Sequence, residues 1–220
     1  MDKKFAIFDM DGTLVDSMGY WRRLWEEYLS AKGVDPVPED IGQRIKALNM
    51  TESAQLFIKE FSIDGTPQSV AREMNDLMGE HYKNHISLKP GVRDYLEGLK
   101  KRGVRMCVAT ATAEYLVRSS LEHYGIADYF DFVISCEETG LGKHRPDIYY
   151  IAAGRYGVRP QEAAVYEDAF YAARTAKTAG FYLIGVHDDY AARHWREICA
   201  MSDELVVSWR QKAAELALKA

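Results

Sequence analysis

Short apolar runs that end in polar residues recur along this chain. The first, Phe5–Phe8, closes on Asp9-Met10-Asp11-Gly12-Thr13. Val104–Ala109, Phe132–Ser135, Ala163–Tyr166 and Phe181–Val186 repeat the pattern. Runs this short, without alternation, predict strands buried on both faces, as in a parallel sheet. Helix-length stretches separate them. Glu114–Tyr124 offers Leu116, Leu121 and Tyr124 for a buried stripe. Pro146–Tyr156 opens on a proline suited to a first turn, and Phe170–Ala179 is closed by Gly180 at the C′ position. Strand and helix alternating in this way predict repeated βαβ units and an α/β, doubly wound parallel sheet. A late strand at Glu204–Val207 and a polar C-terminal helix complete it, with Ala213–Ala220 expected to be peripheral and to fray at its end.

The segment from about Asp16 to Ile86 breaks this alternation and reads as helical. Trp21, Leu24, Trp25, Tyr28 and Leu29 form one apolar stripe at i, i+3, i+4, i+7 and i+8. Thr66-Pro67 has the form of an N-cap followed by proline at N1. Val70, Met74, Leu77, Met78 and Tyr82 continue a second stripe behind it. Thr51 is expected to cap a helix running to Phe61, and Ser17 to cap the first helix. The chain returns to the sheet near Lys89-Pro90-Gly91. The domain organisation expected is a core of residues 1–15 and 88–220 with a helical insert of residues 16–87.

Composition narrows the function classes. At 220 residues and 47% apolar, the chain can bury a sizeable core. Its net charge of −5 gives no basic surplus to meet a phosphate backbone, which argues against nucleic acid as a partner. Cys107, Cys136 and Cys199 are odd in number and far apart, which fits a reducing cytoplasm rather than a disulfide framework. The run Phe5–Phe8 is too short for a signal segment or a membrane span, so a soluble cytoplasmic protein is expected.

In an open α/β sheet, ligands bind beyond the carboxyl ends of the strands. The polar residues that follow each apolar run therefore converge on one rim. Asp9 and Asp11 follow the first strand and Thr110 the second; Lys143 lies in the loop after the third; Glu167 and Asp168 follow the fourth. Carboxylates gathered at one point repel one another unless a hard cation sits among them, and oxygen ligands of this kind suit Mg²⁺. The chemistry indicated is phosphoryl transfer. Asp9 would attack phosphorus in line, giving an aspartyl-phosphate. Asp11, two residues on, would serve as general acid and then general base. Gly12 would let the chain turn sharply beside the ligand. Thr110, with Ala111 beside it, and Lys143 would hold the remaining phosphoryl oxygens.

These residues carry a resemblance to a known family. Asp9-Met10-Asp11-Gly12-Thr13-Leu14-Val15-Asp16-Ser17 resembles the first motif of the haloacid dehalogenase superfamily, D-x-D-G-T-x-x-D-S. Gly142-Lys143-His144-Arg145-Pro146-Asp147-Ile148-Tyr149 resembles its lysine motif. Glu167-Asp168, with Ala173, Ala176, Ala179 and Gly180 downstream, resembles its acidic metal motif, and Thr110 its small-hydroxyl motif. The resemblance spans the whole chain in the right order. It implies a Rossmann-like core with an inserted helical cap, and Asp9 as nucleophile and metal ligand. It further implies Asp11 binding the metal through its main-chain carbonyl, Asp168 as a metal ligand, and Glu167 near the metal directly or through water. Members that displace halide from carbon lack the second aspartate, so Asp11 points to the phosphate-handling branch. His144 stands where proline is common, Ala169 where serine is common, and Tyr171 at a position often held by glycine.

Each feature has a plainer reading. Asp and Gly favour turns anyway; Glu167-Asp168 alone would suit a helix N-terminus; a lone Thr110 or Lys143 would say nothing. Asp16 and Ser17 suit a hinge. His81 and His85 stand at i, i+4 but lack a third zinc ligand motif, so they are expected on a solvated face. Arg44 and Lys46 lie in a loop of the insert and are expected to bind substrate. The reading is a Mg²⁺-dependent phosphatase of a small phosphorylated metabolite, with cap closure excluding water and selecting the leaving group. The alternatives are a phosphomutase of the β-phosphoglucomutase type and a non-catalytic binding module.

Overall fold

The computed structural model describes residues 3–45 and 48–218. In chain order the elements are β1 (Phe5–Phe8), α1 (Met18–Ala31), α2 (Ile41–Ile45), α3 (Met50–Phe61), α4 (Pro67–Asn84) and α5 (Val92–Lys101). There follow β2 (Arg105–Thr110), α6 (Glu114–His123), β3 (Phe132–Ser135), α7 (Cys136–Thr139) and α8 (Asp147–Tyr156). The last are β4 (Ala163–Glu167), α9 (Phe170–Thr178), β5 (Tyr182–Val186), α10 (Trp195–Met201), β6 (Glu204–Val206) and α11 (Trp209–Leu218). The chain forms two compact units, Met1–Asp16 with Ser87–Ala220, and Ser17–Ile86.

The first unit is an α/β, Rossmann-like doubly wound sheet, as the alternation predicts. Six parallel strands run in the order β3-β2-β1-β4-β5-β6. Successive strands step outward from β1 on one side, then from β4 on the other, so the topological switch lies between β1 and β4. Phe8 stands opposite Val108 and Tyr166, so β1, β2 and β4 reach the carboxyl edge together. Both faces of β1 are buried, and its alternating side chains join two cores. Ile7, with Cys107, Ala109, Val165 and Leu183, packs on Tyr149 and Ala152 of α8 and on Ala173 and Ala176 of α9. Phe8 stacks on Tyr166, with ring centroids 4.1 Å apart. Tyr95 shares a 2.7 Å hydroxyl contact with Tyr166, and Trp209 stacks on that same ring. The helix α11 is thus anchored from its first residue; Trp209 and Leu216 are buried. The expectation of a polar, peripheral C-terminal helix beginning near Ala213 is corrected by these two apolar anchors. Pro146 is corrected from the first turn to the N-cap position of α8.

The second unit is helical and has its own core. Leu24, Tyr28 and Leu29 of α1, Ala54 and Phe57 of α3, and Val70, Met74, Met78 and Tyr82 of α4 are buried. Thr66 caps α4 as expected: its Oγ1 accepts from Ser69 N at 3.1 Å, with Pro67 at N1. Asn49, not Thr51, caps α3. The Asn49–Glu52 pair closes a reciprocal capping box at 2.9 and 2.8 Å, which places Thr51 one residue inside the helix. Ser17 stands at the N-cap of α1, but its side chain makes no capping bond. His81 is buried rather than solvated: Nε2 lies 2.8 Å from Glu27 Oε2, and Tyr20 packs on the ring at 4.8 Å. Among the described residues, no helix is long and apolar enough to cross a membrane.

Candidate active site

The carboxyl edge of the first unit gathers the polar residues that follow β1, β2 and β4. Asp9 leaves β1 still held by the sheet, its N–H donating to Tyr166 O at 3.0 Å. The chain then turns tightly: Leu14 N and Val15 N both donate to Met10 O, and Gly12 N donates to Val15 O. Gly12 makes the turn at φ +80°, and a Cβ there would lie 2.4 Å from Asp168 Oδ2. Only glycine allows both that backbone conformation and that approach. Thr13 Oγ1 donates to Asp168 Oδ1 at 2.9 Å, so the loop after β1 is tied to the loop after β4.

Lys143 reaches the same point from the segment between α7 and α8. Its Nζ donates to Asp9 Oδ1 and, at 2.5 Å, to Glu167 Oε1. Tyr149 OH also donates to Glu167 Oε1, at 2.7 Å. Asp9, Thr110, Lys143, Glu167 and Asp168 are all buried. One oxygen from each of Asp9, Glu167 and Asp168 can lie within 4.8 Å of the others. The ionised cluster would therefore hold three negative charges against the single positive charge of Lys143, a net of −2.

That imbalance is visible in the proton affinities. Burial raises the Asp9 carboxyl well above the usual range; Glu167, Asp168 and Asp11 push it further, against the opposing pull of Lys143. Burial, then the charge of Glu167, pushes Asp168 up to about 7, while the Thr13 hydroxyl and Lys89 oppose the rise. Burial alone would depress Lys143, yet Asp9 and Glu167 outweigh it and hold the ammonium protonated. Glu167 Oε2 is buried and has no hydrogen-bond partner. A pocket of carboxylate oxygens with excess negative charge, and with one orphaned oxygen, fits a hard divalent cation.

Asp11 is held by a residue that the motif reading missed. Thr112 Oγ1 donates to Asp11 Oδ2 at 2.6 Å. Thr112 lies two residues past Thr110, whose Oγ1 accepts the Thr112 amide at 3.1 Å. Tyr149, likewise missed, falls within the lysine motif, but its helical position disguises it as core. Half-buried Lys89 pairs with buried Asp188 at 2.8 Å, and both contribute to the charge environment of Asp168.

Two of the three departures from the family pattern meet. His144 and Tyr171 stack, with ring centroids 4.3 Å apart and planes 26° from parallel. Thr175 Oγ1 lies 2.9 Å from Tyr171 O and 3.3 Å from His144 O. Burial raises the Tyr171 phenol, with Lys143, Glu167, Asp9 and Asp168 all within electrostatic reach. Ala111 is exposed beside Thr110. Arg44 pairs with Glu60 and with Asp40, both of its own unit. Lys46 lies outside the described residues.

Residues 3–180 match the profile of the haloacid dehalogenase-like hydrolases. The chain belongs to that family. This haloacid dehalogenase-like hydrolase is 31% identical over 183 residues to the fructose-1-phosphate phosphatase YqaB of Escherichia coli, across 82% of this chain and 94% of that protein. The crystal structure of CbbY from Rhodobacter sphaeroides in complex with phosphate superposes with a TM-score of 0.77 at 26% identity, covering 94% of this chain and 95% of that one. A β-phosphoglucomutase from Clostridium difficile superposes with a TM-score of 0.74 over 99% and 96% of the two chains; at 22% identity that likeness is one of fold.

Proposed function

We propose that this hydrolase is a Mg²⁺-dependent phosphatase of small phosphorylated metabolites, sugar phosphates foremost, working through an aspartyl-phosphate on Asp9. The observation that carries the reading is the buried meeting of Asp9, Glu167 and Asp168 with Lys143 at the end of the switch-point strand. Substrate class is inferred from the E. coli relative, which by name acts on fructose-1-phosphate.

Asp9, Asp168 and the main-chain carbonyl of Asp11 would hold the Mg²⁺, with Glu167 near it directly or through water. Bound there, the ion would neutralise the carboxylates and a phosphoryl oxygen. Asp9 attacks phosphorus, and the bond from phosphorus to the leaving oxygen breaks. Asp11, protonated, gives that oxygen its proton. A water then attacks the phosphoryl group as Asp11 takes a proton back, and the P–O bond to Asp9 breaks to release inorganic phosphate. Lys143 and Thr110 bind the transferring phosphoryl oxygens, and the Lys143 charge offsets their negative charge. Residues 16–87 act in this reading as a cap that selects the leaving group and excludes water. A cytoplasmic setting follows from the metabolite substrate.

The test is phosphate release from an aryl phosphate and a sugar phosphate panel, with Mg²⁺ or EDTA, by wild type, Asp9→Asn and Asp11→Asn. Release that needs Mg²⁺ and Asp9, with Asp11→Asn slowed about 10²–10⁴-fold, is expected. Release indifferent to Asp9 overturns the mechanism. Isomerisation that needs a bisphosphate activator, with negligible release, would make the protein a mutase. No metal binding and no turnover would leave a binding module.

A further inference from the structure

We propose that Thr112 is the positioning residue of Asp11, fixing the carboxylate that exchanges the proton in both half-reactions. The inference rests on the phosphatase reading above. Asp11 sits on a turning loop, where a side chain has several staggered rotamers available. An acid/base group must meet first the leaving oxygen and later the water, so its carboxylate needs one fixed direction.

Thr112 has the means to fix it. Its hydroxyl has one proton to donate, and gives it to Asp11 Oδ2 at 2.6 Å, a short charge-assisted bond. The backbone that carries the hydroxyl is itself locked. Its amide donates to Thr110 Oγ1 at 3.1 Å, and its carbonyl accepts from Ser135 Oγ at 2.8 Å. Ser135 ends β3 and also accepts from Glu137 N at 3.2 Å. Thr112 and Ser135 are both buried. A chain of hydrogen bonds therefore runs from the end of β3, through the loop after β2, to the second aspartate after β1. The rigid edge of the sheet orients Asp11 through Thr112, without Thr112 touching the reacting atoms.

Thr112→Val removes the hydroxyl at nearly constant shape, and Thr112→Ser restores it. Losing one hydrogen bond to a charged group is expected to lower kcat about 10- to 100-fold, with KM within about twofold. Thr112→Ser should stay within about threefold of wild type. With an aryl phosphate, whose leaving group needs little protonation, Thr112→Val should still form the aspartyl-phosphate but hydrolyse it slowly. Acid-quenched enzyme would then carry more covalent phosphate than wild type. In crystals, the Asp11 carboxylate should leave its place in Thr112→Val and keep it in Thr112→Ser. Wild-type kcat in Thr112→Val, an equal loss in Thr112→Ser, or an unmoved Asp11 in Thr112→Val would each overturn the inference. Failure of the phosphatase reading looks different: wild type would release no phosphate from any substrate, and the Asp11 position in the crystals would still decide the role of Thr112.

Discussion

Gly12→Ala tests the link between the turn after β1 and the carboxylates proposed to hold Mg²⁺. A Cβ at residue 12 would stand 2.4 Å from Asp168 Oδ2, 2.7 Å from Cγ and 3.0 Å from Oδ1. Either Asp168 swings away or the loop carrying Asp9 and Asp11 shifts. The backbone adds its own cost, since φ is +80° and an L-residue with a Cβ pays about 1–2 kcal/mol in the left-handed region. For a domain of this size each kcal/mol lowers Tm by about 2–4 °C, so a fall of about 2–8 °C without metal is expected. The metal response should fall separately. At a Mg²⁺ concentration 100 times the wild-type Kd, binding stabilises by about 2.7 kcal/mol. A tenfold weaker site would give about 1.4 kcal/mol, roughly half the Tm increment. Thermal melts in EDTA and in that Mg²⁺ concentration measure both quantities. If Gly12→Ala keeps the full Mg²⁺ increment while melting lower in EDTA, the turn is merely strained, and the proposed dependence of the metal site on this close approach is wrong.

Other outcomes can be read from the same site. The Asp168 carboxyl, pushed up to about 7 chiefly by burial, binds its proton more tightly folded than unfolded. Metal-free stability should therefore fall as pH rises from about 4 through about 7, and Mg²⁺ should offset the fall; Tm curves in EDTA that rise across this window contradict it. Trp209→Phe keeps an aromatic ring, though a smaller one, and removes the 3.0 Å bond from Nε1 to Thr13 O. It should lower kcat more than its loss of about 1 kcal/mol in stability would suggest, as urea melts and steady-state rates would show. Tyr171→Ala should change KM differently for sugar and aryl phosphates while Mg²⁺ binding stays within about twofold; a uniform KM change would remove Tyr171 from the pocket wall.

The sheet was legible because its strands are buried on both faces. Phe5–Phe8 and Ala163–Tyr166 read as uninterrupted apolar runs, and the residue after each run falls at the carboxyl edge. Asp9, Thr110, Glu167 and Asp168 could therefore be placed from one linear rule. Lys143 needed the motif resemblance, because it sits in a loop with no periodicity. What escaped depends on pairings far apart in the chain. Thr112 matters through Asp11, 101 positions away, and Tyr149 through Glu167 in the next strand. Trp209 looked like part of a polar tail, because its partners Phe8, Tyr95 and Tyr166 come from three other elements. Asn49 and Thr51 are both able to cap; Glu52 at the third position decides for Asn49, a cue that was available. His81 needed Glu27 and Tyr20 from another helix to make its burial intelligible.

Thr13 is gripped from both sides, by Asp168 through its hydroxyl and by Trp209 through its carbonyl. Thr13 and Trp209 lie 196 positions apart, and Trp209 lies beyond the part of the chain that matches the family profile. On the ribosome, at about 5–20 residues per second, the turn after β1 would wait on the order of 10–40 s for this partner. A nascent chain, or one cut short before α11, would carry the motifs named above and still hold the first of them on a loop whose Thr13 is fastened by Asp168 without Trp209. Synthesis of α11 therefore decides when the loop after β1 gains its second hold.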